Sequence, residues 1–419
     1  MSTITFEKLL DEGRSLIDKP KELLELIADC LKPKDIEKKQ FGEVFTPMKL
    51  INEMLDKLPI DVWKNKNLTW LDMSCGMGNF PIAVYLRLME SLKDIIIDDK
   101  KRKKHIIRNM LVMCELNKKN VSICKQIFGD VVLNIYEGDS LNMKYEMKFD
   151  IIMGNPPYQD DSGNAGKGHT LWTKFVELSL KTLKPNGYLC YVHPSLWRQA
   201  DHPMLHKLKS KQILYLSIHN EIDGQKTFNC STRYDWYILQ NTNYFKNTYI
   251  KGQDNKLYNI NLQNWNFIPN YDFDKIHKLI DSTDKLEVLS SRSAYGHDKA
   301  WISKTKDDIH KYPVVYSVNR KNELTLHYSS TNANGHFRCP KVIFGSGATG
   351  FYIDEHGDYG LTQWATGIVD KVENLQKIKN ALECQKFKEI IKAISVSKAE
   401  INSKILKYFK KDFYNEFVT

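Results

Sequence analysis

Short apolar runs alternate with stretches of helical period through the middle of the chain. "LTWLDMSCGMGNF" is an apolar strand running into a glycine turn, and "PIAVYLRLMESL" is the helix after it. "RNMLVMCELN" reads as a second strand and "KKNVSICKQIFG" as a second helix. "VVLNIYEGDS" and "FDIIMGNPPY" give a third and a fourth strand. "LWTKFVELSLKTLKPNG" reads as a helix ended by Pro185 and Gly187, and "YLCYVHPSLW" as a fifth strand. "QILYLSIHN" and "TRYDWYILQ" complete a set of seven. Strands alternating with helices predict an α/β fold with a doubly wound, mostly parallel sheet. We place it at 41–242.

The flanking regions differ. Residues 1–40 read as two amphipathic helices. In "FGEVFTPMKLINEML", Pro47 opens a helix at its favoured first position and Thr46 is its expected cap. Beyond 242 the alternation stops, and Tyr, Trp, Asn and Gly occur in irregular runs before a lysine-rich helical tail. Residues 243–419 are therefore expected to form an additional α+β domain. Trp265, Tyr295, Trp301 and Trp364 are expected in cores, and Lys304, Lys306, Arg320 and Lys341 in solvent.

Composition narrows the classes. Hydrophobic residues make 42% of the 419 and charged ones 27%, ordinary for a globular protein. No stretch approaches the ~20 apolar residues of a membrane span. The charged N-terminus lacks a signal-peptide layout, so a cytoplasmic protein with no membrane partner is expected. The formal charge of +10 favours a polyanionic partner, nucleic acid first. Eight cysteines include no C-x-x-C pair, which gives no zinc or redox signal, and no metal is expected. Most of these thiols sit in apolar contexts and are expected to be buried. The run "DDKKRKKH" (98–105) is expected to be a solvated surface loop.

In an open α/β sheet, ligands bind beyond the carboxyl ends of the strands. The first strand ends Asp72-x-x-x-Gly76-x-Gly78, the second at Glu115, the third at Asp139 and the fourth at Asn155. A dinucleotide turn prefers G-x-G-x-x-G with an acid about 20 residues on. Pro81 breaks that pattern and Glu115 comes later, so a pyrophosphate cradle is disfavoured. An adenosine without phosphates fits better, which points to S-adenosylmethionine. In "NPPY", two prolines lack the N–H a sheet ladder needs and end the strand. An adenine amine is a poor nucleophile because its lone pair is delocalised. Asn155 Oδ1 and the Pro156 carbonyl can accept its two N–H groups and free that pair. Tyr158 offers a stacking face worth about 1–3 kcal/mol. His193 in "YVHPSLW" is expected to be a satisfied strand-end histidine rather than a base.

"NPPY" behind an apolar strand, downstream of D-x-x-x-G-x-G, resembles the N6-adenine DNA methyltransferases. "FGEVFTP" ahead of the glycine turn resembles the first cofactor motif of their gamma class, and the order of motifs agrees. The resemblance covers 41–242 with specific motifs; over 243–419 it is general, in the style of recognition regions of restriction-modification enzymes. It implies that Phe45, Thr46 and Pro47 line the methionine side of the cofactor, and that Asp72, Gly76 and Gly78 hold its amino-acid part. Glu115 would bind the ribose and Leu116 would pack on the adenine. Asp139 would accept from the 6-amino group, with Ser140 beside it and Pro157 near the ring. Asn155, Pro156 and Tyr158 would hold the target base, and Phe228 would stack on it once flipped out. Asn117 stands where an aspartate is common. Double-stranded DNA and a cognate restriction endonuclease are the implied partners. RNA adenine methylation, protein-glutamine methylation and a non-catalytic DNA-binding subunit are the rival readings.

Overall fold

In the computed structural model of the chain, the described residues are 17, 45–129, 133–159, 170–345, 347–396 and 401–417. The two helices expected before residue 40 lie outside them. The chain divides into two compact units, Met1–Ser195 with His206–Leu262, and Leu196–Leu205 with Gln263–Thr419.

The first unit carries the strands β1 (Trp70–Asp72), β2 (Leu111–Glu115), β3 (Ile135–Glu137), β4 (Phe149–Gly154), β5 (Leu183–Pro194), β6 (Gln212–His219), β7 (Tyr234–Gln240), β8 (Thr248–Lys251) and β9 (Leu257–Ile260). Their spatial order is β3-β2-β1-β4-β5-β7-β6-β8-β9. β1 pairs in parallel with both β2 and β4, and β7 runs antiparallel between β5 and β6. All seven expected strands are present, in a mostly parallel sheet.

The sheet has nine strands rather than seven, and it runs past 242. Gln212 Oε1 accepts from Phe245 N at 2.9 Å and Lys246 N at 3.0 Å, which folds the chain back along β6. Thr248 Oγ1 then donates to Ile213 O at 2.7 Å, and Ile250 is buried. β8 and β9 thus belong to the first unit, which ends at Leu262.

Central parallel strands covered on both faces read as continuous apolar runs, and β1 is buried throughout. The helix Met48–Leu55 buries Leu50, Ile51, Met54 and Leu55, the i, i+3, i+4 stripe of a packed helix. Lys118–Phe128 does the same, whereas Asn79–Ser91 is buried on every side over its first two turns, and both join Trp70, Ile151 and Met153 in one core.

Two local expectations change. The helix Trp172–Thr182 ends before Pro185, and β5 begins at once. Leu183 pairs with Phe149 and Tyr188 with Ile151, so Lys184–Gly187 bulges against Asp150. Asn186 takes a φ of 62° there, and a Cβ on Gly187 would lie 2.6 Å from Asp150 O. Pro185 and Gly187 therefore shape a bulge, not a helix end. The basic run is a helix, Asp99–His105, because Asp98 caps it by accepting from Lys101 N at 2.7 Å. Arg102 is buried in it, donating to Ile96 O at 2.7 Å.

The second unit holds two four-stranded sheets. One orders Glu287–Leu289, Ala365–Val369, Lys341–Gly345 and Phe351–Asp354. The other orders Ile302–Ser303, Leu324–Ser329, Tyr312–Val318 and Gly360–Leu361. Val315, Val318, Ile343, Leu361 and Ala365 pack together from the two. The expected helical tail is broken at Cys384 into Val372–Glu383 and Gln385–Ile394, and both bury an apolar face. Lys341 is not solvated: it is fully buried, with Nζ 2.6 Å from Asp354 Oδ2. Trp265 and Tyr295 are buried and Trp301 half-buried, but Trp364 is 46% exposed. Cys75, Cys114, Cys124 and Cys190 are buried thiols, whereas Cys230 is exposed. Among the described residues, no helix is long and apolar enough to cross a membrane.

Candidate active site

The chain runs from β1 to β2 and β3 on one side and returns to β4 on the other, so the strand order reverses between β1 and β4. A crevice at such a point is where an open sheet takes its ligand. Asp72 closes β1, level with Met113 of β2 and Met153 of β4. The next residues of β4 and its turn are Gly154 and Asn155.

Asp72 is buried, and its Oδ1 accepts from Ser74 N at 3.0 Å. Burial pushes its pKa up to about 8; the Ser74 N–H works against that and the nearby Glu115 adds to it. Among the described residues no cation pairs with it. Gly154 makes room for this carboxyl: its φ is 147°, and a Cβ there would lie 2.9 Å from Asp72 Oδ1.

The glycine turn closes with Gly78 N donating to Cys75 O at 2.8 Å, with φ of 54° at Gly76 and 91° at Gly78. Gly76 N donates to Glu115 Oε2 at 2.7 Å, and Asn117 N donates to Oε1 at 2.8 Å. Glu115 thus ties the turn to the end of β2. Leu116 beside it is 55% exposed, an apolar face left open at a strand end. Asn117 caps Lys118–Phe128 by accepting from Lys119 N at 3.1 Å, a role aspartate would also fill. Asp139 accepts from Leu141 N at 2.9 Å and Asn142 Nδ2 at 2.6 Å, so it shapes its own turn. Buried Ser140 donates Oγ–H to Met73 O, fastening that turn beyond β1.

Thr46 does not cap a helix. Pro47 takes the cap position of Met48–Leu55, and no side chain caps it. Thr46 Oγ1 instead accepts from Asn155 Nδ2 at 3.0 Å. Phe45 is half-buried against the core of the first unit. Asn155 Oδ1 is buried without a well-formed hydrogen bond among the described residues, and the buried Tyr158 hydroxyl has the Asn155 side chain beside it. Burial holds the Tyr158 phenol far above its ordinary pKa; Cys230 and Tyr234 add to the rise and the Asn155 side chain works against it. Pro156 is buried and Pro157 half-buried. Leu171 N donates to Tyr158 O at 3.1 Å, and Gln159 bridges Thr170, so the chain returns beside the motif after 160–169.

Phe228 ends the helix Glu221–Phe228 and is half-buried, its ring edge-on to Tyr234 at 4.8 Å. His193 is buried, stacked on Trp172 at 4.2 Å, with Nε2 3.2 Å from the Tyr237 hydroxyl. It is a satisfied strand-end histidine. Two residues that sequence reasoning passed over stand in the site, Gly154 and Asn79. Asn79 Nδ2 donates to Thr46 O at 3.1 Å, and only its place directly after Gly78 hinted at a role.

The strand order, with acid and glycine at the reversal and N-P-P-Y at the end of β4, defines an open, mostly parallel α/β fold with its polar strand ends gathered at one crevice. Residues 66–229 match the family described as Eco57I restriction-modification methylase. An uncharacterized adenine-specific methylase of Mycoplasma pneumoniae is 28% identical, over 40% of this chain and 58% of its own length. The type II restriction enzyme and methyltransferase RM.Eco57I of Escherichia coli is 22% identical, over 47% of this chain and 28% of its own. The chain therefore spans less than two thirds of either curated relative. Among solved structures, a cryo-EM structure of a DrdV–DNA complex superposes with a TM-score of 0.50 at 10% identity, over 94% of this chain and 58% of that one.

Proposed function

We propose that the chain transfers a methyl group from S-adenosylmethionine to the N6 amino group of adenine in double-stranded DNA, as the methylase of a restriction-modification system. The observation that carries this reading is the Asn155 amide. Its Nδ2 donates to Thr46 Oγ1, and its Oδ1 is left buried without a hydrogen-bond partner among the described residues. Buried acceptors are normally satisfied, and an orphan at a strand-end crevice suits an incoming donor. An N–H of the target amine donated to Oδ1, and another to Pro156 O, would draw the nitrogen toward tetrahedral geometry. The Tyr158 ring would hold the base by its face.

The residues around Asp72 fit the cofactor. A buried carboxyl without a cation calls for a positive ligand, such as the ammonium of an amino acid. Glu115 and Leu116 offer a carboxylate for ribose hydroxyls and an apolar face for adenine. When bound, S-adenosylmethionine supplies a methyl on a sulfonium, a good leaving group that removes the need for a strong base. Asp72 and the glycine turn would orient it, and Asn155 with Pro156 would line up the attacking nitrogen. Such alignment accounts for much of the acceleration in a two-substrate transfer.

The gamma-class order of motifs is consistent with this reading, with cofactor segments at 45–47 and 72–78 before the catalytic turn. The target adenine would leave the stack, since its amine is unreachable inside a duplex. Residues 263–419 would read bases in the major groove. The test is incubation with S-adenosylmethionine and unmethylated genomic DNA, followed by mapping of N6-methyladenine. One short motif methylated throughout is expected. No methyladenine, with cofactor bound in calorimetry, would overturn the DNA assignment in favour of RNA or a glutamine amide.

A further inference from the structure

Asn79 begins the helix Asn79–Ser91 directly after the glycine turn. It is 9% exposed. Its Nδ2 donates to the carbonyl of Thr46, 33 residues earlier, at 3.1 Å. The hydroxyl of the same Thr46 accepts from Asn155 Nδ2, 109 residues later, at 3.0 Å. Three segments far apart in the chain are thus joined by two hydrogen bonds that meet on one residue. The Asn79 Oδ1 is buried and has no partner among the described residues. A residue serving only the packing of the helix would leave no buried acceptor orphaned, and Phe80, Ile82 and Ala83 beside it are apolar.

Resting on the proposed methyl transfer, we infer that Asn79 is a positioning residue for it, acting through Thr46 on the Asn155 amide. An asparagine side chain can present either end of its amide, and only Oδ1 can accept from the target amine. Thr46 Oγ1 holds the Nδ2 end and so leaves Oδ1 as the end free to accept. Thr46 lies in the extended segment ahead of Met48–Leu55, with no side-chain cap to fix it. The Asn79 bond to its carbonyl supplies that fixture. It couples the glycine turn to the catalytic amide, so one rigid frame would register the two substrates.

The test compares the full chain with Asn79→Ala, Thr46→Val and the double variant, reading single-turnover rate and cofactor dissociation constant separately. Thr46→Val keeps the carbonyl that Asn79 grips and removes the hydroxyl that Asn155 needs. Asn79→Ala is expected to slow transfer about tenfold or more, as misplacement of a reacting group does, with cofactor affinity unchanged within about twofold. The double variant is expected to be no slower than Thr46→Val, because the route to Asn155 is already cut. Rate losses that multiply, a rate left intact, or a loss of cofactor affinity at constant rate would each overturn the inference. If Asn79→Ala does not fold, Asn79→Leu, of similar size and with no donor, answers the same question with the same outcomes. Wild-type protein that makes no methyladenine would remove the functional reading first and this inference with it. An active wild type with an indifferent Asn79 would remove the inference alone.

Discussion

Asp72 is a carboxyl kept where charge is costly. With its pKa pushed up to about 8 by burial, the neutral form is favoured there well above the ordinary carboxylate range. The stability this group contributes is present at low pH and is lost as pH rises through about 8, because the unfolded carboxyl ionises near 3.8. A cationic ligand needs the ionised form. Cofactor affinity is therefore expected to rise with pH, by up to about tenfold per unit, and to level off near pH 8. Calorimetry from about pH 6 to 9, compared with Asp72→Asn, separates this slope from titration of the ligand's own amino group. A wild-type profile no steeper than that of Asp72→Asn would remove Asp72 as the counter-charge. Gly154→Ala makes a second test at the same spot. The Cβ would press on Asp72 Oδ1 at a φ that disfavours a side chain, so cofactor binding should weaken sharply in the same calorimetry. Retained affinity would mean that the carboxyl can move aside. Asp72, Glu115 and Asn155 were legible in sequence because each ends an apolar run. Gly154, Asn79 and the Thr46–Asn155 bond were not, since each depends on a contact across more than thirty residues.

At the scale of elements, pattern served where burial is two-sided and periodic. β1, β2, β4, β5, β6 and β7 all fell where apolar runs stood. β8 and β9 were hidden because their alternation is short and their outer residues Tyr249 and Leu257 are exposed. The helix at 99–105 was hidden because charge outweighed the single capping aspartate. Lys341 was misplaced for a physical reason: lysine is almost never fully buried unless it is paired. Lys341 and Asp354 stand directly opposite on antiparallel strands, and Lys341 Nζ also donates to Cys339 O at 3.2 Å. Asp354 further accepts from Asp358 N at 2.9 Å and Tyr359 N at 3.2 Å, which fixes the turn after its strand. Removing one partner leaves a buried charge. Lys341→Met should cost about 3–5 kcal/mol in urea unfolding. Adding Asp354→Leu should recover only part of it, since two backbone N–H groups then lose their acceptor. Full stability in Lys341→Met would mean that water reaches Asp354.

The whole molecule carries a formal charge of +10, and the sequence offers two places where that charge could meet a phosphate backbone. One is the helix Asp99–His105 of the first unit. Lys100, Lys101 and Lys104 stand in solvent and Lys103 is half-buried, around a buried Arg102 whose guanidinium is spent on Asp99 and backbone carbonyls. The other is the second unit, where Lys304, Lys306 and Arg320 are exposed and, among the described residues, no carboxylate is paired with them. Exposed Trp364 lies in the same unit. The proposed division of labour assigns duplex contact to that unit. Binding to DNA should then weaken linearly in log affinity against log salt, by about 0.9 for each phosphate neutralised. Replacing Lys304, Lys306 and Arg320 by alanine should lower the slope by as much as about 2.7. Replacing Lys100, Lys101, Lys103 and Lys104 should leave it unchanged. Salt titrations of fluorescently labelled duplex read both slopes directly. A slope that falls only with the 99–105 lysines would move the DNA path onto the first unit, and the second unit would need another partner to explain its exposed cations.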